Sequence, residues 1–186
     1  KKLQQHTRFL SSAGSLYRIH DGNLLYHGCI AMNDDGSFRA FNVDGKSFRS
    51  KEFLDRIDRL ARQGYFDIDH PEQKRYGMDA MWFMWCAPMS PLFGKERMTT
   101  FERYFIEDKT THAEKRNAYY TLRDTEESAK KILAEFGLDP DRGIIINGHV
   151  PVKVVKGERP IKANGRLMVI DGGFSRAYQK QTGIAG

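Results

Sequence analysis

Two of the six histidines in the chain sit where a side chain can do chemistry. His27 closes the apolar run Leu24-Leu25-Tyr26 and precedes Gly28, while His149 follows Ile144-Ile145-Ile146 and Asn147-Gly148. A glycine beside each lets the backbone turn sharply and leaves an imidazole facing outward from the end of a buried strand. Neutral imidazole nitrogen is a common metal ligand, so two such residues at equivalent strand ends read as part of a metal site. A pair of structural histidines is the competing reading. Two neutral ligands do not balance a dication, so carboxylates or bridging oxygens have to complete any centre they form. Asp171, which follows the run Leu167-Met168-Val169-Ile170 and precedes Gly172-Gly173, is a candidate and equally a turn residue. Neither a His-Glu-x-x-His helix nor a Cys-x-x-Cys pair occurs. His6, His20, His70 and His112 lie in polar or turn-like contexts and read as exposed or capping residues.

The elements that must carry these side chains follow from periodicity. The three apolar runs just named read as buried strands with turns at their carboxyl ends, the place where ligands collect in helix-covered sheets. Phe53, Leu54, Ile57, Leu60 and Ala61 share one helical face, with Ser50 as the expected cap and Gly64 as the expected stop. A second helix is expected from Asp124, whose spacing to Glu127 suits a capping box, through the stripe Ala129, Ile132, Leu133 and Phe136 to Gly137 and Pro140. A third runs from Pro71 to Trp85, ended by Pro88, and its Met and Trp content reads as core packing. Asp44-Gly45 predicts a type I′ hairpin between Phe38–Val43 and Lys46–Phe48. From Phe93 to Asp124 the pattern predicts a long connection with little regular structure, Phe101–Ile106 being apolar enough for one element.

Composition sets the outer limits. The chain has 186 residues, 30 basic against 24 acidic side chains for a formal charge of +6, 40% apolar residues and 29% charged ones. These are the proportions of a globular protein, one domain or part of a larger one. The longest apolar stretch, Ala80–Ala87, is too short to span a bilayer, and Lys1–Phe9 has no apolar signal core. Cys29 and Cys86 are the only cysteines, too few for a disulfide framework, so a reducing cytoplasm is the expected location. The surplus charge suits a solvated face, a nucleic-acid groove or a site for a small polyanion. Its basic residues are scattered, with no long basic run and no alternation with aromatics, which argues against the groove.

Longer segments carry a resemblance. Asn23-Leu24-Leu25-Tyr26-His27-Gly28-Cys29-Ile30, Ser90-Pro91-Leu92-Phe93-Gly94 with Met98-Thr99-Thr100-Phe101-Glu102-Arg103-Tyr104-Phe105, Asn147-Gly148-His149-Val150-Pro151-Val152-Lys153, and the closing Lys162-Ala163-Asn164-Gly165 and Val169-Ile170-Asp171-Gly172-Gly173-Phe174-Ser175-Arg176-Ala177-Tyr178 are similar to class III fructose-1,6-bisphosphatase, the type found in Firmicutes. The similarity runs over essentially the whole chain. It implies an α/β (α+β) fold, part of a calcineurin-like metallophosphoesterase β-sandwich flanked by helices, with residues 1–186 forming a C-terminal portion of the catalytic domain and a helical and loop insertion at about 50–140. The implied reaction is hydrolysis of fructose 1,6-bisphosphate to fructose 6-phosphate and phosphate in gluconeogenesis, by two-metal catalysis with manganese.

By the same resemblance His27 and His149 match metal ligands. Arg97 follows Trp85-Cys86-Ala87-Pro88, where related protein phosphatases place a phosphate-clamping arginine, and Arg103 competes for that role. Lys153, Lys162 and Arg176 are candidates for the second phosphate, with ordinary exposed cations as the alternative. The family's Gly-Asp and Gly-Asn-His motifs do not occur. There is no Gly-Asp dipeptide, and Gly22-Asn23 is followed by Leu24. The expected partners are therefore fructose 1,6-bisphosphate and the remainder of the same polypeptide, with neither nucleic acid nor membrane and with a homo-oligomer left open. The segment alone is expected to be inactive. A related metallophosphatase acting on protein or nucleotide phosphates, or a basic nucleic-acid-binding module, are the alternative functions.

Overall fold

A computed structural model describes residues 1–172, 176 and 179–183. The elements are α1 (Lys2–Ala13), β1 (Tyr17–His20), β2 (Asn23–Tyr26), β3 (Ala40–Val43), β4 (Lys46–Arg49), α2 (Ser50–Phe66), α3 (Pro71–Cys86), α4 (Thr100–Phe105), α5 (Tyr119–Leu122), α6 (Glu126–Glu135), β5 (Ile145–Asn147), β6 (Ile161–Lys162), β7 (Leu167–Val169) and α7 (Gln179–Thr182). They form two compact units. One joins Lys1–Leu16 to Ala40–Asn117, and the other joins Tyr17–Arg39 to the chain from Ala118 onward. The fold is mixed α/β.

The first unit is organised by the β3–β4 hairpin and the α2–α3 pair. Asp44 and Gly45 take φ of 53° and 73°, as a type I′ turn requires, and Phe41 faces Phe48 across the ladder. Phe53, Ile57 and Leu60 of α2 close on Val43, Ala80 and Met84, with the rings of Phe41 and Phe53 stacked at 4.1 Å. Two expectations for α2 change. Ser50 is its first helical residue, with φ of 46°, and not its cap; its hydroxyl is buried with no hydrogen-bond partner among the described residues. Gly64 does not stop the helix but lies inside it. A Cβ on Gly64 would come within 2.4 Å of the Gly77 carbonyl carbon, so the glycines let two backbones touch. Helix α3 carries apolar residues on two faces. Gly77, Ala80 and Met84 are buried, whereas Met78, Met81, Trp82 and Trp85, spaced along a second stripe, are exposed. Core packing explains only the first set.

α1 was not anticipated, because its residues are polar. Its carboxyl end is held by Arg62 of α2, whose Nη1 donates to the carbonyls of Ser11 (2.6 Å) and Ser12 (3.1 Å), with Nη2 on Gly14 and Nε on Asp58 Oδ2 at 2.8 Å. A guanidinium there satisfies carbonyls the helix leaves open. The connection after Phe93 does contain α4 at the apolar stretch, and Glu114 ties it together by accepting from Lys95 Nζ (2.7 Å) and the Thr99 amide (3.0 Å).

The second unit contains a five-stranded mixed sheet in the order β1-β2-β5-β7-β6. β2, β5 and β7, the three runs read from the sequence, are neighbours and parallel, while β1 and β6 add antiparallel edges. Leu24, Ile145, Leu167 and Val169 are fully buried, as continuous apolar runs in parallel strands predict. α6 buries Ala129, Ile132 and Leu133 and starts one residue later than expected. Thr125, not Asp124, caps it by accepting from the Ser128 amide, because Asp124 is engaged with Lys162. No helix among the described residues is long and apolar enough to cross a membrane.

Candidate metal centre

Register brings the candidate ligands to one edge. Tyr26 pairs with Asn147, and Asn147 with Val169, so the residues that follow them leave the three strands at the same level. Backbone bonds then lace the turns together: the Gly148 amide donates to the His27 carbonyl at 3.0 Å, Ile170 to Asn147 at 2.8 Å and Val152 to Asp171 at 2.8 Å. His149 has φ of 68°, a left-handed conformation uncommon for a residue with a Cβ and often found at functional sites. That turn swings its ring over His27. The two rings meet edge to face with centroids 4.9 Å apart, and His27 Nε2 lies 3.0 Å from His149 Nδ1.

A hydrogen bond between two imidazoles needs one nitrogen carrying a proton and one bare, so at least one ring is neutral. Two nitrogens this close and facing each other can also serve one cation in place of the shared proton. His27 is exposed and His149 half-buried, which leaves the pair accessible. Asp171 is adjacent, its Cβ 3.7 Å from where a side chain on Gly148 would begin. Among the described residues, however, no cluster of three or more His, Cys, Asp or Glu side chains is arranged to hold a metal ion. The donor set fits part of a metal centre: two nitrogens, lacking the anionic oxygens that a dication requires.

The residues expected to bind phosphate fall in both units. Arg97 and Arg103 belong to the first. Arg97 Nε donates to the Ala113 carbonyl at 3.1 Å and Arg103 Nη2 to the His112 carbonyl at 3.0 Å, while Arg103 Nε contacts Thr99 Oγ1 at 3.1 Å. Both brace the segment around residues 112–114, with the rest of Arg97 exposed. Lys153, Lys162 and Arg176 belong to the second. Lys162 Nζ is paired with Asp124 at 2.6 Å, Lys153 is half-buried with its amide bonded to Glu158 at 3.0 Å, and Arg176 is exposed. Gly173, Phe174, Ser175, Ala177 and Tyr178 of the closing motif lie outside the described residues.

Sequence reasoning missed what lies beneath the histidines. Asn147, 1% exposed, donates from Nδ2 to the Tyr119 hydroxyl at 2.6 Å and to the Gly28 carbonyl at 3.2 Å. The Tyr119 and Tyr26 hydroxyls are 2.6 Å apart, and Arg123 approaches Asn147 Oδ1 at 3.5 Å. Burial raises both phenols above the ordinary tyrosine value and pushes the nearby Cys29 thiol up to about 12, keeping all three neutral. Asn147, a polar residue closing an apolar strand, was the one visible signal. Arg123 gave none.

Comparison with known proteins bears on what this edge belongs to. The model of the Firmicute fructose-1,6-bisphosphatase family matches residues 1–186. The chain belongs to this family. A fructose-1,6-bisphosphatase class 3 from Clostridium botulinum is 58% identical over 186 residues, which cover 100% of this chain and 28% of that protein. Counterparts bearing the same description in Clostridium tetani and Clostridium novyi are each 56% identical over 186 residues, again 28% of their length. The chain thus spans a little over a quarter of these fructose-1,6-bisphosphatases. No solved structure matches it.

Proposed function

We propose that this chain is a segment of an enzyme that hydrolyses fructose 1,6-bisphosphate to fructose 6-phosphate and phosphate, and that it contributes His27 and His149 to a metal centre of the calcineurin-like metallophosphoesterase type. The observation that carries the reading is the meeting of two imidazole nitrogens at 3.0 Å, on the turns after adjacent parallel strands, in a chain that matches the family along its whole length. Manganese is the metal we favour. When bound, a two-metal centre supplies neutralisation of phosphoryl charge and acidification of an attacking water. The chain's own residues hold and aim: His27 and His149 present neutral nitrogens, the left-handed turn at His149 sets the second ring, and Asp171 flanks the pair. The remaining anionic ligands belong to the rest of the polypeptide.

Binding a sugar bisphosphate, which carries about four negative charges, calls for cations at its second phosphate. Lys153 and Arg176 suit this better than Lys162, whose charge is already opposed by Asp124. Gluconeogenesis is the process we assign to this reaction, with the cytoplasm as its location. In the full-length protein with Mn2+, His149→Ala is expected to abolish phosphate release from fructose 1,6-bisphosphate, and an unchanged rate would remove His149 from the centre. A panel of protein and nucleotide phosphates, hydrolysed faster than the sugar, would move the substrate elsewhere.

A further inference from the structure

A guanidinium is buried beneath the paired histidines. The Arg123 side chain is 5% exposed, its Nε has no hydrogen-bond partner among the described residues, and Asp124 Oδ1 stands 3.6 Å away on a carboxylate whose other oxygen is paired with Lys162. The rings of Tyr120 and Tyr119 lie 5.1 and 5.8 Å from its central carbon. Burying a charge with its carboxylate this far off is costly. What the charge does supply is polarity. Arginine only donates, so its contact with Asn147 fixes the carboxamide with Oδ1 toward Arg123 and Nδ2 toward Tyr119 and Gly28. The Tyr119 hydroxyl accepts from Nδ2 and lies 2.6 Å from the Tyr26 hydroxyl, which extends the chain. Reversing the amide would set its oxygen against the Gly28 carbonyl.

We propose that Arg123 and Asn147 are positioning residues for the His27–His149 pair, orienting a buried hydrogen-bond chain that locks the turn after β2 to the turn after β5. Asn147 reaches Gly28, the residue after His27, and lies two residues before His149. Its side chain therefore clamps the two turns from below while the Gly148 amide joins them at the backbone. The inference rests on reading the pair as metal ligands.

The test uses the full-length enzyme and the variants Arg123→Leu, Asn147→Ala and Tyr119→Phe, the last removing only a hydroxyl. Three quantities are measured: the Mn2+ dissociation constant, hydrogen exchange of the Gly148 amide in metal-free protein, and the urea midpoint. Arg123→Leu and Asn147→Ala are expected to weaken Mn2+ binding about tenfold or more and to speed Gly148 exchange by a similar factor. Tyr119→Phe is expected to do the same to a smaller extent, and the losses are expected not to follow the urea midpoint across the three variants. Unaltered Mn2+ affinity and Gly148 exchange would overturn the proposal, as would losses that track the urea midpoint across the three variants. If the unsubstituted enzyme binds no Mn2+, the metal reading fails, and the exchange comparison alone decides whether Arg123 and Asn147 position the turns.

Discussion

At Glu114 two opposing effects meet. Burial raises the pKa of its carboxyl, but the Lys95 ammonium and the Thr99 amide and hydroxyl stabilise the ionised form more, and the result falls from the ordinary 4.5 to about 2. A carboxyl whose pKa is depressed on folding contributes stability that is complete above its unfolded value and lost as pH falls through its folded one. Thermal midpoints should therefore drop between pH 4.5 and about 2, and Glu114→Gln should lower the midpoint at neutral pH and flatten that acid limb. An identical acid limb in both proteins would mean that Glu114 is not coupled to folding. Arg97 and Arg103 belong to the same local arrangement. Their bonds to the carbonyls of Ala113 and His112 give them a bracing role beside the phosphate-binding one expected of them, which no list of residue types reveals. At His149 the reverse holds: Gly148-His149 after an apolar run already announced a turn, and the left-handed backbone at His149 is that turn's consequence.

Among elements, α2 and α3 show where periodicity suffices and where it stops. The stripe Phe53, Leu54, Ile57 and Leu60 predicted a buried face and has one. Gly64 predicted a terminus and instead marks a crossing, because a lone glycine reads the same at a helix end as at a close approach. Only its partner Gly77 distinguishes the two. A Cβ at either position would lie 2.3–2.4 Å from backbone of the other helix, with no flexible side chain to give way. Gly64→Ala and Gly77→Ala are each expected to destabilise the protein by about 2 kcal/mol or more, measured by urea denaturation; a helix-stop glycine replaced by alanine would show no such dependence on both sites. β2, β5 and β7 were legible because strands buried on both faces become continuous apolar runs. β1 and β6, at the sheet edges, escaped notice because edge strands need no such run, and α1 because Arg62 rather than an apolar stripe anchors it.

For the whole molecule, coverage is the governing fact. The 186 residues hold two imidazoles at one strand edge and no cluster of three ligands among those described, in a chain equal to 28% of its relatives. The isolated chain is expected to release no phosphate from fructose 1,6-bisphosphate and to retain fewer than two equivalents of manganese after dialysis, by elemental analysis. Two tightly held equivalents would mean that the chain carries a complete centre. The sequence by itself determined the family, the three parallel strands and the two histidines, because motifs and apolar runs are local in the chain. Tertiary structure decided the rest: that His27 and His149 meet at 3.0 Å, that Arg123 is buried beneath them, and that Lys162 is already paired. Each depends on residues tens of positions apart being brought together, and neither spacing nor composition records which distant side chain a charge will find.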